Sequence, residues 1–312
     1  MIWEVRCIQN EEVFLPLLQE REIELFIKRE DQIHPEVSGN KFRKLKYNLL
    51  QAKEQGFEKL LTFGGAFSNH ILATAVAGKL HGFKTVGVIR GEELGKNLTK
   101  TLDQNVTLKK ASDCGMELVF VSREAYRRKN EITWINSLKK QVGNFYLIPE
   151  GGTNSLAVKG CEEILTKQDA QFDYICSCVG TGGTISGLIN RTKKQQKVFG
   201  FPALKGDLLT EEIRKMTGEK NNWEMVSEYH FGGYSKYSNE LIAFINDFKQ
   251  KTSIPLDPIY TGKMMYGIIG MIQKNQFPKQ SKILAIHTGG IQGINGFNQR
   301  LNKKGSHLRV NI

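Results

Sequence analysis

Lys41 stands in the segment Ser38-Gly39-Asn40-Lys41-Phe42-Arg43-Lys44-Leu45, which sets an amine among fixed polar groups. Phe42, Leu45, Leu49 and Leu50 recur at helical spacing from Lys41 onward, and Ser38-Gly39-Asn40 supplies turn and capping chemistry before them. The backbone of a helix start fixes the stem of Lys41, with Asn40 before it and Arg43 and Lys44 one turn later. Such a group suits an anionic carbonyl cofactor. Desolvation and cationic neighbours lower a lysine from its ordinary pKa of ~10.4, which frees the amine to form a Schiff base. The competing reading of the same residues is a basic, solvated helix start.

Three further clusters lie where a strand gives way to a helix, the place at which open α/β sheets bind ligands. Gly180-Thr181-Gly182-Gly183-Thr184 follows the apolar run 174–179. Its glycines let backbone N–H groups converge on phosphate oxygens, its threonines add hydroxyl donors, and the next helix start favours negative charge. The spacing is not that of a dinucleotide fingerprint and no P-loop lysine is present, so one compact phosphate is expected; a tight turn without a ligand is the alternative.

Gly64-Gly65-Ala66-Phe67-Ser68-Asn69-His70 places Ser68 to cap a helix, and the N–H groups of Asn69 and His70 to hold a carboxylate. It is not the G-x-S-x-G elbow of a hydrolase. Late in the chain, Tyr260, Thr261 and Thr288 set a phenol and two hydroxyls on loops, as donors to a cofactor ring or as proton carriers. Each of these, taken singly, is equally read as a cap or a turn.

The elements that must carry these groups alternate. β-rich runs at 60–63, 85–89, 118–121, 145–148, 174–179, 197–201 and 283–286 are separated by helical stretches at 69–81, 104–113, 124–140, from 184 and from 209. This is the βα signature of parallel sheets flanked by helices, here two of them, with a hinge expected at 149–152.

With 312 residues, 40% hydrophobic and 24% charged, a packed core in one large or two smaller units is expected. The excess of 44 Lys+Arg over 32 Asp+Glu gives +12, spread along the chain without a basic arm interleaved with aromatics, which argues against nucleic-acid binding. Five scattered cysteines (Cys7, Cys114, Cys161, Cys176, Cys178) without CxxC spacing argue against a disulfide framework or a metal site and for a reducing compartment. Cys176 and Cys178 share one side of a strand and read as small core residues. No apolar run reaches membrane length and no signal segment opens the sequence, so a cytoplasmic protein without a membrane partner is expected.

Together these segments resemble the family of pyridoxal-phosphate enzymes that contains 1-aminocyclopropane-1-carboxylate deaminase and D-cysteine desulfhydrase, of the tryptophan-synthase-β-like fold (fold type II). The resemblance runs over 24–297. It implies pyridoxal 5'-phosphate as cofactor, Lys41 as the Schiff-base residue with Lys44 in the same segment, Gly180, Thr181, Gly182, Gly183 and Thr184 as the phosphate cup, and Asn69 at the cofactor's ring hydroxyl. It further implies Ser68 facing a substrate held at Ser68, Asn69 and His70, and Tyr234 and Tyr260 as active-site phenols. The deaminases carry glutamate after the second tyrosine and leucine after the late histidine; Thr261 and Thr288 resemble the desulfhydrase pattern. Phe67 replaces a common glutamine and Leu72 a usual arginine, departures that bear on substrate more than on cofactor.

The resemblance implies a larger cofactor domain from 1–45 and 150–312, a smaller mobile domain from 46–149, and a homodimer. The expected reaction is α,β-elimination of a small amino acid, for D-cysteine giving pyruvate, ammonia and sulfide. Deamination of 1-aminocyclopropane-1-carboxylate, and dehydration or β-replacement on another β-substituted amino acid, are alternatives on the same scaffold. A small-phosphate-binding regulatory protein is the non-enzymatic alternative.

Overall fold

The computed structural model describes residues 8–206, 208–303 and 305–311. Among them the strands run β1 (Asn10–Glu12), β2 (Glu24–Lys28), β3 (Lys59–Gly65), β4 (Lys84–Arg90), β5 (Met116–Val121), β6 (Tyr146–Ile148), β7 (Tyr174–Val179), β8 (Lys197–Pro202), β9 (Trp223–Met225) and β10 (Lys282–Ile286). One sheet has the order β5-β4-β3-β6 and is wholly parallel; the other has the order β1-β2-β10-β7-β8-β9 and is parallel except for the edge strand β1.

The strands are apolar on both faces because helices cover both. Alternate residues feed opposite clusters, as a period of two requires. Leu60 packs with Leu49, Ile71 and Ala75, whereas its neighbour Leu61 packs with Val86, Val88 and Leu138. In the larger sheet Ile175 and Leu284 join Leu188 on one face, while Cys176 and Ala285 join Phe199 and Ile268 on the other. Burial of each large side chain contributes about 1.5–3 kcal/mol relative to exposure. Cys176 and Cys178 lie in the same cluster, as their spacing suggests.

The helix Asn69–His81 and strand Tyr174–Val179 have the bounds expected from sequence. The stretch 124–140 does not form one helix. It breaks into Arg123–Arg127 and Ile132–Val142, and the intervening turn brings Lys129 Nζ to 3.4 Å from Glu150 and over the Tyr126 ring. β1, β9 and β2 were not expected; the first two have three residues each, too few for a pattern, and β2 is completed by pairing with β10. Among the described residues no helix is long and apolar enough to cross a membrane, and no group of three or more His, Cys, Asp or Glu could hold a metal ion.

Candidate active site

Gly39, at φ 64°, turns the chain into the helix Asn40–Glu54. A Cβ at this position would lie 1.9 Å from the Thr288 carbonyl oxygen, which accepts the Asn40 N–H at 3.2 Å. Only glycine allows the Lys41 helix to start against the loop after β10. Lys41 Nζ donates to Asn40 Oδ1 at 3.0 Å, and Asn40 Nδ2 donates in turn to Thr184 Oγ1 at 2.8 Å. The first helix turn is thereby tied to the glycine-rich loop after β7. Burial pushes the Lys41 amine below its ordinary value, against the opposing influence of Cys178, Cys161 and Asp257.

Lys44, also buried, donates to the Gly151 carbonyl at 3.0 Å and to the hydroxyls of Thr153 at 2.9 Å and Thr181 at 3.3 Å. No carboxylate pairs with it among the described residues. Burial, followed by the charge of Lys41, lowers its pKa to about 7. Arg43, expected beside Lys41, turns away: its guanidinium donates twice to the buried Glu30 carboxylate.

Gly183 opens the helix Gly183–Arg191. A Cβ on Gly183 would come within 2.9 Å of Thr153 Oγ1 and 3.3 Å of Lys44 Nζ, so glycine is what lets the loop backbone approach this lysine and hydroxyl so closely. Thr153 and the Gly151 carbonyl were not singled out from sequence. Their signal was present, since Gly151-Gly152-Thr153 follows β6 much as Gly180-Thr181-Gly182 follows β7.

Ser68 caps the helix Asn69–His81, its Oγ accepting from the N–H groups of His70 at 3.2 Å and Ile71 at 3.4 Å. The His70 N–H, expected to be open to a carboxylate, is therefore engaged, and that of Asn69 lies outside the cap. The His70 ring is buried with Nε2 on Thr62 Oγ1 at 2.8 Å. The Thr62 hydroxyl donates to the Ile148 carbonyl at 2.9 Å, so it receives the Nε2 proton. Burial and then the charges of Lys41 and Lys44 hold His70 well below its ordinary value, which keeps it neutral. Asn69 Oδ1 is buried without a partner.

The Tyr260 ring faces Gly180, where a Cβ would meet its Cε1 at 3.2 Å. Tyr234 packs edge-on against Tyr260 with ring centroids 6.2 Å apart. Burial raises both phenols, Tyr260 well above its ordinary value. Thr261 Oγ1 donates to Asp257 Oδ2 at 2.8 Å and accepts from Asp257 N–H at 2.9 Å; Thr288 Oγ1 lies 3.0 Å from the Cys178 sulfur. Phe67 stands 50% exposed, with Gly296 close to its ring, whereas Leu72 is buried in the core.

Loops from the carboxyl ends of both sheets thus converge on a desolvated amine and a glycine cup suited to an anion. Its unpartnered Asn69 oxygen, its lysine without a carboxylate and the close backbone approach at Gly183 fit a phosphate-bearing carbonyl cofactor with a polar ring. This is the architecture of an enzyme built around such a cofactor. The model of the pyridoxal-phosphate dependent enzyme family matches residues 11–289, and the chain belongs to that family.

The chain is 31% identical over 297 residues, 87% of its length and 73% of the relative's, to the bifunctional D-cysteine desulfhydrase/1-aminocyclopropane-1-carboxylate deaminase, mitochondrial, of Arabidopsis thaliana. It is 28% identical over 303 residues, 88% of its length and 89% of the relative's, to the 1-aminocyclopropane-1-carboxylate deaminase of Rhizobium rhizogenes. A crystal structure of an ACC deaminase homologue superposes with a TM-score of 0.78 at 27% identity, covering 95% of this chain and 92% of that one. These findings bear out the resemblance read from the motifs, the cofactor and the fold class.

Proposed function

We propose that the chain eliminates the β-substituent of a small amino acid and deaminates it, with D-cysteine going to pyruvate, ammonia and sulfide as the model reaction. The observation that carries this reading is the state of Asp257 and Thr261. The Asp257 carboxylate accepts the N–H groups of Ile259, Tyr260 and Thr261 and the Thr261 hydroxyl, all at 2.8–2.9 Å. It is committed to the start of the helix Thr261–Gln273, and the position where the deaminases place glutamate carries a hydroxyl in place of a carboxylate. A pyridine nitrogen without a carboxylate partner stays largely neutral, which suits departure of a good leaving group such as thiolate.

When bound, pyridoxal phosphate supplies the sink for the electrons of the substrate Cα–H bond. Lys41 would hold the aldehyde carbon, Gly180 to Thr184 with Lys44 would hold the phosphate, Asn69 would meet the ring hydroxyl, and Thr261 and Thr288 would lie beside the ring. The lowered pKa of Lys41 eases loss of its proton, which favours the free-amine form that could take the α-proton. The Asn69 N–H and Ser68 receive the substrate carboxylate. Tyr260 and Tyr234 retain their protons at neutral pH and give one to the leaving group. The unit of 46–149, which carries Ser68 and Asn69, closes on the remainder.

A second reading, opening of the 1-aminocyclopropane-1-carboxylate ring, is favoured by the name of the Rhizobium relative. The two separate by assaying sulfide from D-cysteine against 2-oxobutanoate from the cyclic substrate, with Lys41→Ala alongside. Sulfide release abolished by Lys41→Ala is expected, together with loss of the borohydride-trappable linkage. Preference for the cyclic substrate would replace the first reading by the second, and a trapped adduct that survives Lys41→Ala would remove Lys41 from its role.

A further inference from the structure

Lys263 is a buried amine for which the reaction above has no use. It stands in the first turn of the helix Thr261–Gln273, an end at which the helix dipole disfavours a cation. Its amine donates to the carbonyls of His230, at 2.9 Å, and Gly233, at 2.8 Å. Burial lowers its pKa to about 8, and the Asp257 carboxylate at the same helix start opposes that shift.

The two carbonyls open successive turns. That of His230 also accepts the Gly233 N–H at 3.0 Å, and that of Gly233 the Lys236 N–H at 3.1 Å, so Tyr234 lies in the second turn. The backbone around it is left-handed, with φ 53° at Phe231, 86° at Gly232, 110° at Gly233 and 60° at Ser235. Residues other than glycine keep such a course only where surrounding contacts enforce it. Immediately after Tyr234, Arg300 of the helix Ile294–Lys303 donates to the Ser235 hydroxyl and, at 3.1 Å, to the Ser235 carbonyl. The Tyr234 side chain is 45% exposed, so its place depends on the backbone pinned on either side of it more than on the core.

Lys263 also ties this loop to the second phenol. Tyr260 precedes the same helix, three residues before Lys263; its ring faces Gly180 and meets Tyr234 edge-on at 6.2 Å. One helix start thus carries Tyr260 directly and reaches the Tyr234 loop through the lysine. We propose that Lys263 and Arg300 are positioning residues that hold the Tyr234 phenol beside Tyr260 and so place it to give its proton to the leaving group. The inference rests on the reading of Tyr234 as an active-site phenol.

Two measurements test it. In the cofactor-free protein, followed by NMR, the Gly233 and Lys236 amides should exchange roughly 10-fold faster in Lys263→Met, while those of Val310 and Asn311, bonded to Asn298 and Asn246, stay unchanged. The second is a cycle with Tyr234→Phe, measuring kcat on D-cysteine, or on the cyclic substrate if wild type prefers it, with the cofactor saturating. Tyr234→Phe and Lys263→Met should each lower kcat roughly 10- to 100-fold, and Lys263→Met added to Tyr234→Phe should lower it by no more than about twofold further. Arg300→Met should follow the same pattern with a smaller loss, and Arg300→Lys should recover part of it; if Lys263→Met does not fold, Arg300→Met carries both measurements. Losses that multiply in the cycle, full turnover in Lys263→Met or unchanged exchange overturn the positioning role and leave the elimination reading standing. Full turnover in Tyr234→Phe removes the phenol from the reaction and the proposal with it, and a wild type inert to both substrates removes the elimination reading as well.

Discussion

Arg43 and Lys44 are neighbours in sequence, on one turn of one helix, and both are buried, yet their surroundings are opposite. Arg43 makes a bidentate contact at 3.0 and 2.9 Å with Glu30, itself 0% exposed. Lys28 is likewise paired with Asp169 at 2.9 Å, both side chains buried. Lys44 meets a carbonyl and two hydroxyls and no carboxylate, and its pKa is lowered to about 7. A buried cation is costly unless it is paired, so a fold that leaves one unpaired is holding it for a ligand that brings the charge. The contrast separates a frame of closed ion pairs from a cup that an anion completes.

The largest effect that tests this contrast is on stability. Arg43→Met leaves the Glu30 carboxylate buried without its partner, and unfolding should be easier by about 3–5 kcal/mol. Lys44→Met removes a buried charge that no carboxylate balances, and stability should stay within about 1 kcal/mol of wild type while pyridoxal phosphate affinity drops sharply. Denaturant unfolding of both variants, stripped of cofactor, gives the comparison. Equal losses would mean that Lys44 belongs to the frame.

A smaller effect sharpens the assignment of the cup. A lysine is charged below its pKa, so with a value of about 7 in the cofactor-free protein Lys44 is cationic below pH 7 and progressively neutral above it. Sulfate, a dianion throughout this range, should bind best below pH 7 and weaken by up to about tenfold per pH unit above it. In Lys44→Met the slope should vanish. A slope that persists in that variant would assign the titrating amine to Lys41, whose value is also lowered by burial.

The βα alternation was legible in the sequence because strands buried on both faces read as short apolar runs, as in β3 and β7. The glycine loops were legible because close backbone approach limits the choice of residue at Gly39 and Gly183. Partner choice was not. Nothing in Arg43-Lys44 tells which cation turns to Glu30, since that acid lies 13 residues earlier and meets Arg43 only when the segment after β2 packs on the helix. Thr153 escaped notice because a hydroxyl after two glycines looks like any turn.

The smallest expected change is at Ser68, where a structural and a chemical role overlap. Its hydroxyl accepts two helix N–H groups, so Ser68→Ala removes a cap and should cost about 1 kcal/mol of stability. Those bonds use the oxygen as an acceptor and leave its proton free to donate to a substrate carboxylate. If it does so in the reacting complex, kcat/KM for D-cysteine should fall by more than the stability change can explain, roughly 10- to 100-fold. The measurement is kcat/KM with the cofactor saturating and the variant shown to be folded at the assay temperature. Full turnover with a lowered melting temperature would leave Ser68 as a cap alone, and would place the substrate's carboxylate contacts on Asn69 and its neighbours.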